Sequence, residues 1–423
     1  MKGLIQLPYD ASVRVLLASL ERNLLPDTVI RSLTRLLLAS RLRSGYKPSS
    51  ESSSLTSSTS FIVMLFLTQY IIYTHCHWEP YSTALGWSSE EVEEVRELEL
   101  RGRLTMNEVE EIRELELRGR LVARTKTGGQ EQSKMPIAIR TEEPKAQHYE
   151  LPTSFFKLVL GKNLKYSCCY FSDKSNTLED AEKAMLELYC ERSQLTDGHT
   201  VLDVGCGWGS LSLYIAKKYS NCRITGICNS TTQRAFIEEQ CREHQLQNVE
   251  IIVADISTLE MVASYDRIFS IEMFEHMKNY KDLLQKISKW MKQDSLLFVH
   301  HFCHKAFAYH FEDINEDDWI TRYFFTGGTM PASNLLLYFQ DDVSVVNHWL
   351  VNGKHYAQTS EAWLKRMDQN MALIKPIIES TYGKDQAIKW TVHWRTFFIA
   401  VAELFGYNNG EEWMVALFLF KKN

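Results

Sequence analysis

The sequence predicts an α/β fold built on a seven-stranded, mostly parallel sheet, with a helical extension at the N-terminus. Three observations carry that prediction. From Thr200 onward, short apolar runs alternate with longer runs of helical period, the pattern of strands joined by crossover helices. The first strand runs into Asp203 and then into three glycines at alternate positions, Gly205, Gly207 and Gly209. Glycines there bare the backbone at a strand's carboxyl end, where open α/β sheets bind ligands. Two more strand-like segments, set apart by helices, close the chain.

Taken in order, Thr200–Val204, Arg223–Cys228, Val249–Ala254, Arg267–Ile271 and Ser295–His301 read as strands. Ser210–Tyr219, Thr231–His244 and Tyr280–Met291 read as the helices between them. Ser344–Val351 and Trp413–Phe420 supply the last two strands, with helices Thr359–Ser380 and Lys384–Phe405 in between. Upstream, Val13, Leu16, Leu17 and Leu20 recur at helical spacing. Pro26 interrupts them, and Asp27 is placed to cap a second helix, Thr28–Arg43.

Four regions result: a helical arm over 1–47, an atypical insertion over 48–134, a helical cover over 135–199 and the core over 200–423. The insertion opens with a serine-rich run, Ser49–Ser60, and an apolar run, Phe61–Tyr73. The apolar run contains Thr68 and Gln69 and falls short of the roughly 18 residues a membrane span needs. A near-identical tandem repeat follows, Glu91–Leu104 echoed by Glu108–Leu121 with Val95 replaced by Ile112. Two units are too few for a solenoid, and Gly102 and Gly119 count against a continuous coiled coil.

Composition is that of an ordinary globular protein, 45% hydrophobic and 24% charged. The net charge of -6 argues against nucleic acid as a partner. Most of that charge sits in the repeat, where 11 Glu face 6 Arg between Glu90 and Arg120. Nine cysteines are scattered without a C-x-x-C pair. They read as reduced thiols of a cytoplasmic protein.

The loop Val201-Leu202-Asp203-Val204-Gly205-Cys206-Gly207-Trp208-Gly209 has G-x-G-x-G spacing, not the G-x-G-x-x-G of dinucleotide sites. It reads as an S-adenosylmethionine loop, and the fold as the Rossmann-like class I methyltransferase fold. Asn229 and Gln233, at the end of the second strand, are placed for the ribose hydroxyls, since an amide both donates and accepts. Asp255 is placed to accept from the adenine amino group, with Ile256 covering the ring. Ile271, ending the fourth strand, flanks the cofactor. Tyr166 and Ser167, in an aromatic stretch upstream, are expected to fold over its sulfonium end.

Glu272, Glu275 and His276 follow the fourth strand at helical spacing, so one helical turn would put all three near one face. Metal ligation would need a third ligand set, and none stands at useful spacing, so no metal is expected. Proton chemistry is the favoured reading, with His276 held charged or oriented by the carboxylates and acting as a base near neutral pH. The aromatic cluster His393-Trp394-Arg395-Thr396-Phe397-Phe398 could pack in the core or cage a cation. The acidic run Glu312–Asp318 reads as a solvated loop.

These motifs together resemble the coclaurine N-methyltransferase-like branch of the cyclopropane-fatty-acid synthase family. The matching elements are YSCCYF at Tyr166–Phe171, VLDVGCGWG at Val201–Gly209, NSTTQ at Asn229–Gln233 and EMFEH at Glu272–His276. FVHHFCH at Phe298–His304 and HWRTFF at His393–Phe398 complete the set. The likeness covers 1 to about 50 and about 135 to 423; the segment 48–134 has no counterpart. It implies S-adenosyl-L-methionine as cofactor, contacted by Ser167, Gly205, Asn229, Gln233, Asp255 and Ile271. It implies a catalytic pair Glu275–His276 with Glu272 nearby, and a substrate pocket lined by Phe302, Trp394 and Phe397. Lipid-modifying members of the family carry a cysteine where Val401 stands here, although Cys168, Glu275 and His300 match parts of their bicarbonate arrangement. That departure favours amine methylation, of the kind this plant branch performs on benzylisoquinoline-type amines. Cyclopropane-type lipid modification and a cofactor-binding interaction protein inactivated by the insertion are the alternatives. The expected partner is a small-molecule amine, with no nucleic acid, no stable membrane insertion and a homodimer as the candidate assembly.

Overall fold

Period-two alternation sorts the side chains of the central strands into two cores, one on each face of the sheet. Val201, Phe269, Phe298 and Leu417 enter one core, while Leu202, Ile268, Leu297 and Ala416 enter the other. A sheet covered on both faces needs strands that are apolar nearly throughout. Each fully buried Val, Leu, Ile or Phe contributes about 1.5–3 kcal/mol.

The computed structural model describes residues 13, 14, 16–43, 135–139, 151–173, 175–314 and 318–423. All of them fall in one unit, formed by Met1–Ser53 with Gly128–Asn423. The serine-rich run, the apolar run, both copies of the repeat and 315–317 of the acidic run lie outside the described residues. No helix among the described residues is long and apolar enough to cross a membrane.

The large sheet consists of β1 (Thr200–Val204), β2 (Arg223–Cys228), β3 (Val249–Val253), β4 (Tyr265–Ile271), β5 (Met291–His304), β8 (Val343–Val351) and β9 (Trp413–Lys422). Its order is β3-β2-β1-β4-β5-β9-β8. The first five strands are parallel, and β9 runs antiparallel between β5 and β8. A two-stranded ribbon, β6 (Tyr309–His310) and β7 (Thr329–Met330), stands beside it.

The helices are α1 (Asp27–Arg43), α2 (Thr153–Val159), α3 (Leu178–Arg192), α4 (Ser210–Lys218), α5 (Thr231–Glu243) and α6 (Tyr280–Lys289). Beyond them come α7 (Trp319–Tyr323), α8 (Lys354–Gln369), α9 (Met371–Tyr382) and α10 (Ala387–Gly406). Side chains fix several starts by taking up orphan N–H groups. Thr177 and Asp180 form a capping box at α3, Ser230 accepts from Gln233 N–H at α5, and Asn279 accepts from Asp282 N–H at α6.

Four sequence expectations are corrected. Asp27 does not cap its helix through its side chain: both its carboxylate oxygens accept from Arg395 at 3.0 Å. The single helix expected over Thr359–Ser380 is two, α8 and α9, broken at Asn370, whose side-chain amide donates instead to Leu158 O at 2.9 Å. Strand β5 starts at Met291, not Ser295, because Met291 pairs with Tyr265 although Lys292, Gln293 and Asp294 are exposed. Glu272–His276 is not a helical turn. Glu272 N–H donates to His300 O at 2.8 Å, which extends the sheet by one residue and leaves Glu272 at φ +48°. Only Phe274–His276 then form a short 3-10 turn.

Candidate active site

Four strand ends meet at one rim: β1 at Gly205, β2 at Asn229, β3 at Asp255 and β4 at Glu272. The glycine loop is pinned there because Gly205 and Cys206 N–H both donate to Ile227 O at 2.9 Å. Gly205 has φ +82°, and a Cβ on it would stand 2.8 Å from Met273 Cγ. Gly207 has φ +53°, yet a Cβ there would meet no atom within 4 Å. The loop is therefore tight against the protein at Gly205 and faces open space at Gly207.

The other cofactor candidates border the same rim. Asn229 is exposed. Gln233 is 1% exposed, and its Nε2 has no hydrogen-bond partner, an arrangement that costs about 1–3 kcal/mol unless a ligand accepts from it. Asp255 spends Oδ1 on Ser257 N–H and Oγ–H at 2.8 and 2.7 Å and leaves Oδ2 available. Ile256 is buried and Ile271 partly buried. Tyr166 stacks its edge against Phe156 and Trp363. Ser167 Oγ accepts from the buried ammonium of Lys165, which also donates to Cys168 O at 2.7 Å. An orphaned amide donor, an open carboxylate oxygen and bare glycine backbone fit an adenosine and its amino-acid tail.

The carboxylates differ sharply. Glu272 Oε1 accepts from Cys168 N–H at 2.9 Å and stands 3.0 Å from His300 Nε2, while Oε2 accepts from Tyr356 O–H at 2.7 Å. Burial acts to raise its pKa, but His300, Lys165 and the Cys168 N–H together hold it below the ordinary carboxylate value. Burial also keeps His300 below its ordinary value. A neutral His300 thus donates from Nε2 to Glu272, and its Nδ1 accepts from Tyr189 O–H at 2.6 Å. Glu275 is fully buried; Oε1 accepts from Phe302 N–H at 2.7 Å and Oε2 has no partner. Burial and the Glu272 charge push its pKa well up.

His276 is not held charged by its carboxylate neighbours. Burial pushes its pKa down to about 4, against the pull of Glu272. Its ring lies parallel to Phe325 at 6.1 Å. Phe325 in turn meets Phe302 at 5.8 Å and Phe397 at 6.2 Å. So His276, Phe302 and Phe397 converge on Phe325. Of these, Trp394 touches Phe397. Fully buried, it packs on Phe155, Phe324 and Phe397 at 5.0, 5.2 and 6.1 Å.

Several members of this site escape a reading of the sequence. Tyr189, Tyr356 and Lys165 look like ordinary helix and loop residues, and only the fold brings them to Glu272. Phe325 lies in a stretch with no motif; its one signal is the neighbouring Phe324.

Strand order, glycine loop and rim residues together define a class I S-adenosylmethionine-dependent methyltransferase. Within that class the chain belongs to the mycolic acid cyclopropane synthetase family, whose model matches residues 138–407. It is 56% identical to (S)-coclaurine N-methyltransferase of Thalictrum flavum subsp. glaucum over 293 residues, 68% of this chain and 81% of that protein. It is 46% identical to pavine N-methyltransferase of the same plant over 338 residues, 79% of this chain and 93% of that one. A crystal structure of coclaurine N-methyltransferase bound to N-methylheliamine and S-adenosylhomocysteine superposes with a TM-score of 0.78 at 42% identity. That match covers 97% of this chain and 100% of the other.

Proposed function

We propose that this chain transfers the methyl group of S-adenosylmethionine to the amine nitrogen of a benzylisoquinoline-type, coclaurine-like alkaloid or a related amine. The observation that carries the reading is one ionised carboxylate, Glu272, held by three donors beside an aromatic wall of Phe302, Phe325 and Phe397. The names of the two plant relatives support the substrate class.

When bound, S-adenosylmethionine supplies an electrophilic methyl group. Asn229 and Gln233 would hold its ribose, Asp255 would accept from its adenine amino group, Ile256 would cover the ring and Ile271 would flank the cofactor. Tyr166, Ser167, Gly205 and Gly207 would border its methionine end.

An alkyl amine has a pKa close to that of lysine, about 10.4, and only its neutral form attacks. With His276 at about 4, moving the ammonium proton onto His276 is uphill by on the order of 9 kcal/mol. The amine therefore reacts in its neutral form, and His276, itself neutral, orients it. Glu272 orients the substrate and offsets the positive charge that grows on nitrogen. Glu275, kept protonated, adds no second anion, so one negative charge faces one developing cation. Phe302, Phe325 and Phe397 bind the aromatic body and exclude water, with Trp394 backing Phe397.

A screen of amines with isotopically labelled cofactor, read by product mass, tests the substrate class. His276→Ala should lower turnover far more than it lowers affinity for S-adenosylhomocysteine; equal losses overturn its role. The catalytic unit is assigned to 135–423 with the arm 1–47, located in the cytoplasm. Excising 52–133 should leave a folded chain that methylates amines. The free state of the eight described cysteines supports a reducing compartment.

A further inference from the structure

Lys278 lies two residues beyond His276 and is 2% exposed. Its backbone is fixed, since Lys278 N–H donates to Ile137 O at 2.8 Å and Met277 bridges to Ala138. Its side chain reaches the ribbon of β6 and β7. There Nζ donates to Gly328 O at 2.9 Å, to Thr329 Oγ1 at 2.8 Å and to His310 Nδ1 at 2.9 Å. An ammonium has three donors and no acceptor, so all three are spent and His310 Nδ1 must accept. The acceptors come from both strands: His310 from β6, Thr329 from β7, and Gly328 just before it.

The ribbon does not need that ammonium to satisfy its own polar groups. Gly328 O also accepts from Phe311 N–H at 3.0 Å. Thr329 Oγ1 stands 3.0 Å from His310 Nδ1, so its hydroxyl can donate there. Burying an ammonium, by contrast, costs several kcal/mol. Its use here calls for a role beyond closing the ribbon.

The residues flanking the three acceptors supply that role. Phe311 follows His310, and Phe325 precedes Gly328 by three residues. Their rings meet at 5.2 Å, and Phe325 lies parallel to His276 at 6.1 Å. Lys278 therefore ties the backbone that carries these rings to the turn that carries His276.

We propose that Lys278 is a positioning residue for the amine: its ammonium holds the ribbon, and with it Phe325, at a set distance from His276, and capture of the substrate depends on that distance. This rests on the amine substrate proposed above. Lys278 acts through Phe325 and not on the reacting atoms, so its loss should weaken amine binding and spare methyl transfer.

The test uses the full chain. Lys278→Met keeps the length, removes every donor and leaves Gly328, Thr329 and His310 the partners just named. KM for a methylated amine should rise about tenfold, with kcat within about threefold of wild type. Affinity for S-adenosylhomocysteine, read by calorimetry, should be unchanged. Hydrogen exchange without any amine should run about tenfold faster over Phe324–Thr329, with the amides of β1 unchanged. Thr329→Val removes one acceptor only and disturbs the fold less. It should raise KM about threefold and add little in the Lys278→Met background. An unchanged KM, unchanged exchange over Phe324–Thr329, or equal losses in KM, kcat and cofactor affinity each overturns the proposal. A wild-type chain that methylates no amine overturns the substrate assignment on which it rests, and the exchange comparison, which needs no amine, separates that failure from failure of the clamp.

Discussion

Glu272 Oε1 and His300 Nε2 stand 3.0 Å apart at the join of β4 and β5, one residue beyond the Ile271–His300 pair of the parallel ladder. The register of two strands thereby places one donor against this carboxylate. With Cys168 N–H and Tyr356 O–H as further donors, Glu272 is the anion of the site, and Glu275, three residues later, is not.

Removing that anion should cost turnover more than it costs structure. Glu272→Gln keeps the shape but loses the charge, so kcat/KM should fall about 100-fold or more, a loss of about 3 kcal/mol. Tyr356→Phe deletes one charge-assisted hydrogen bond and should fall about tenfold. Both variants should bind S-adenosylhomocysteine within about threefold of wild type by calorimetry. A parallel loss of cofactor affinity would place Glu272 in the cofactor site instead.

Selection of the neutral amine fixes the form of the pH profile. His276 at about 4 does not titrate between pH 6 and 9, whereas the free amine loses its proton near about 10.4. Then kcat/KM should rise close to tenfold per pH unit across that range, with no plateau beginning at the ordinary histidine pKa of about 6.5. An inflection there that His276→Gln abolishes would show that His276 titrates as a base.

Three histidines, the buried His301 and His393 and the half-buried His276, each have a folded-state pKa near 4 set first by desolvation. Their folded values lie below the unfolded value of about 6.5. The unfolded chain thus binds more protons between pH 6.5 and 4, and stability must fall as pH drops through that window. His301 is fully buried, stacks on Phe418 and holds Phe302 O at 2.9 Å. Its share is on the order of 3 kcal/mol at neutral pH. Denaturation at pH 7 and pH 4.5 should show a smaller difference for His301→Asn than for wild type, even though the variant is less stable at pH 7.

The loop offers a cleaner separation of fold from binding. Gly207→Ala places a Cβ where the structure has no atom within 4 Å, so steric overlap with the protein is absent. The cost to folding is the left-handed backbone, about 1–2 kcal/mol. Binding should suffer more, because the new side chain occupies the open side of the rim. A melting temperature lowered by only a few degrees, with S-adenosylhomocysteine affinity down at least tenfold in calorimetry, is the expected pair of results. Gln233→Leu, which removes the unpartnered amide, should lower the same affinity without lowering stability.

What the sequence made legible was whatever depends on period and on residues adjacent in the chain. Strand β1 at Thr200–Val204 and strand β2 at Arg223–Cys228 have the predicted bounds, because each is a short, largely apolar run that glycine or asparagine ends. The rim residues Gly205, Asn229 and Asp255 were legible because each closes a strand. Partners set by the third dimension were not. Nothing near Glu272 in sequence announces Tyr356 or Cys168, 84 and 104 residues away. The helical reading of Glu272–His276 failed because one sheet hydrogen bond, Glu272 N–H to His300 O, outweighed local helical spacing. Spacing likewise could not show that Glu275 is buried and His276 partly so, which determines the protonation state of both.

Phe325 is the strongest test of the aromatic wall, because it was absent from the motif-based pocket and yet stands at its centre. It touches His276, Phe302, Phe311 and Phe397 with ring centroids 5.2–6.2 Å apart. It is only partly buried, whereas Phe324 beside it is fully buried and stacked on Phe397 at 4.4 Å. Adjacent phenylalanines thus divide the work, Phe324 anchoring the segment to α10 and Phe325 facing the site. Phe324→Ala should therefore behave as a core deletion, costing about 3–5 kcal/mol of stability. Phe325→Ala should unfold little earlier than wild type and should raise KM for the amine about tenfold, a binding loss of about 1.4 kcal/mol. Phe325→Leu, which keeps bulk but not the ring face, should recover part of that loss. Thermal melts and steady-state kinetics on the three variants distinguish a substrate-facing ring from a packing ring. If Phe325→Ala destabilises as much as Phe324→Ala while KM is unchanged, the wall belongs to the core.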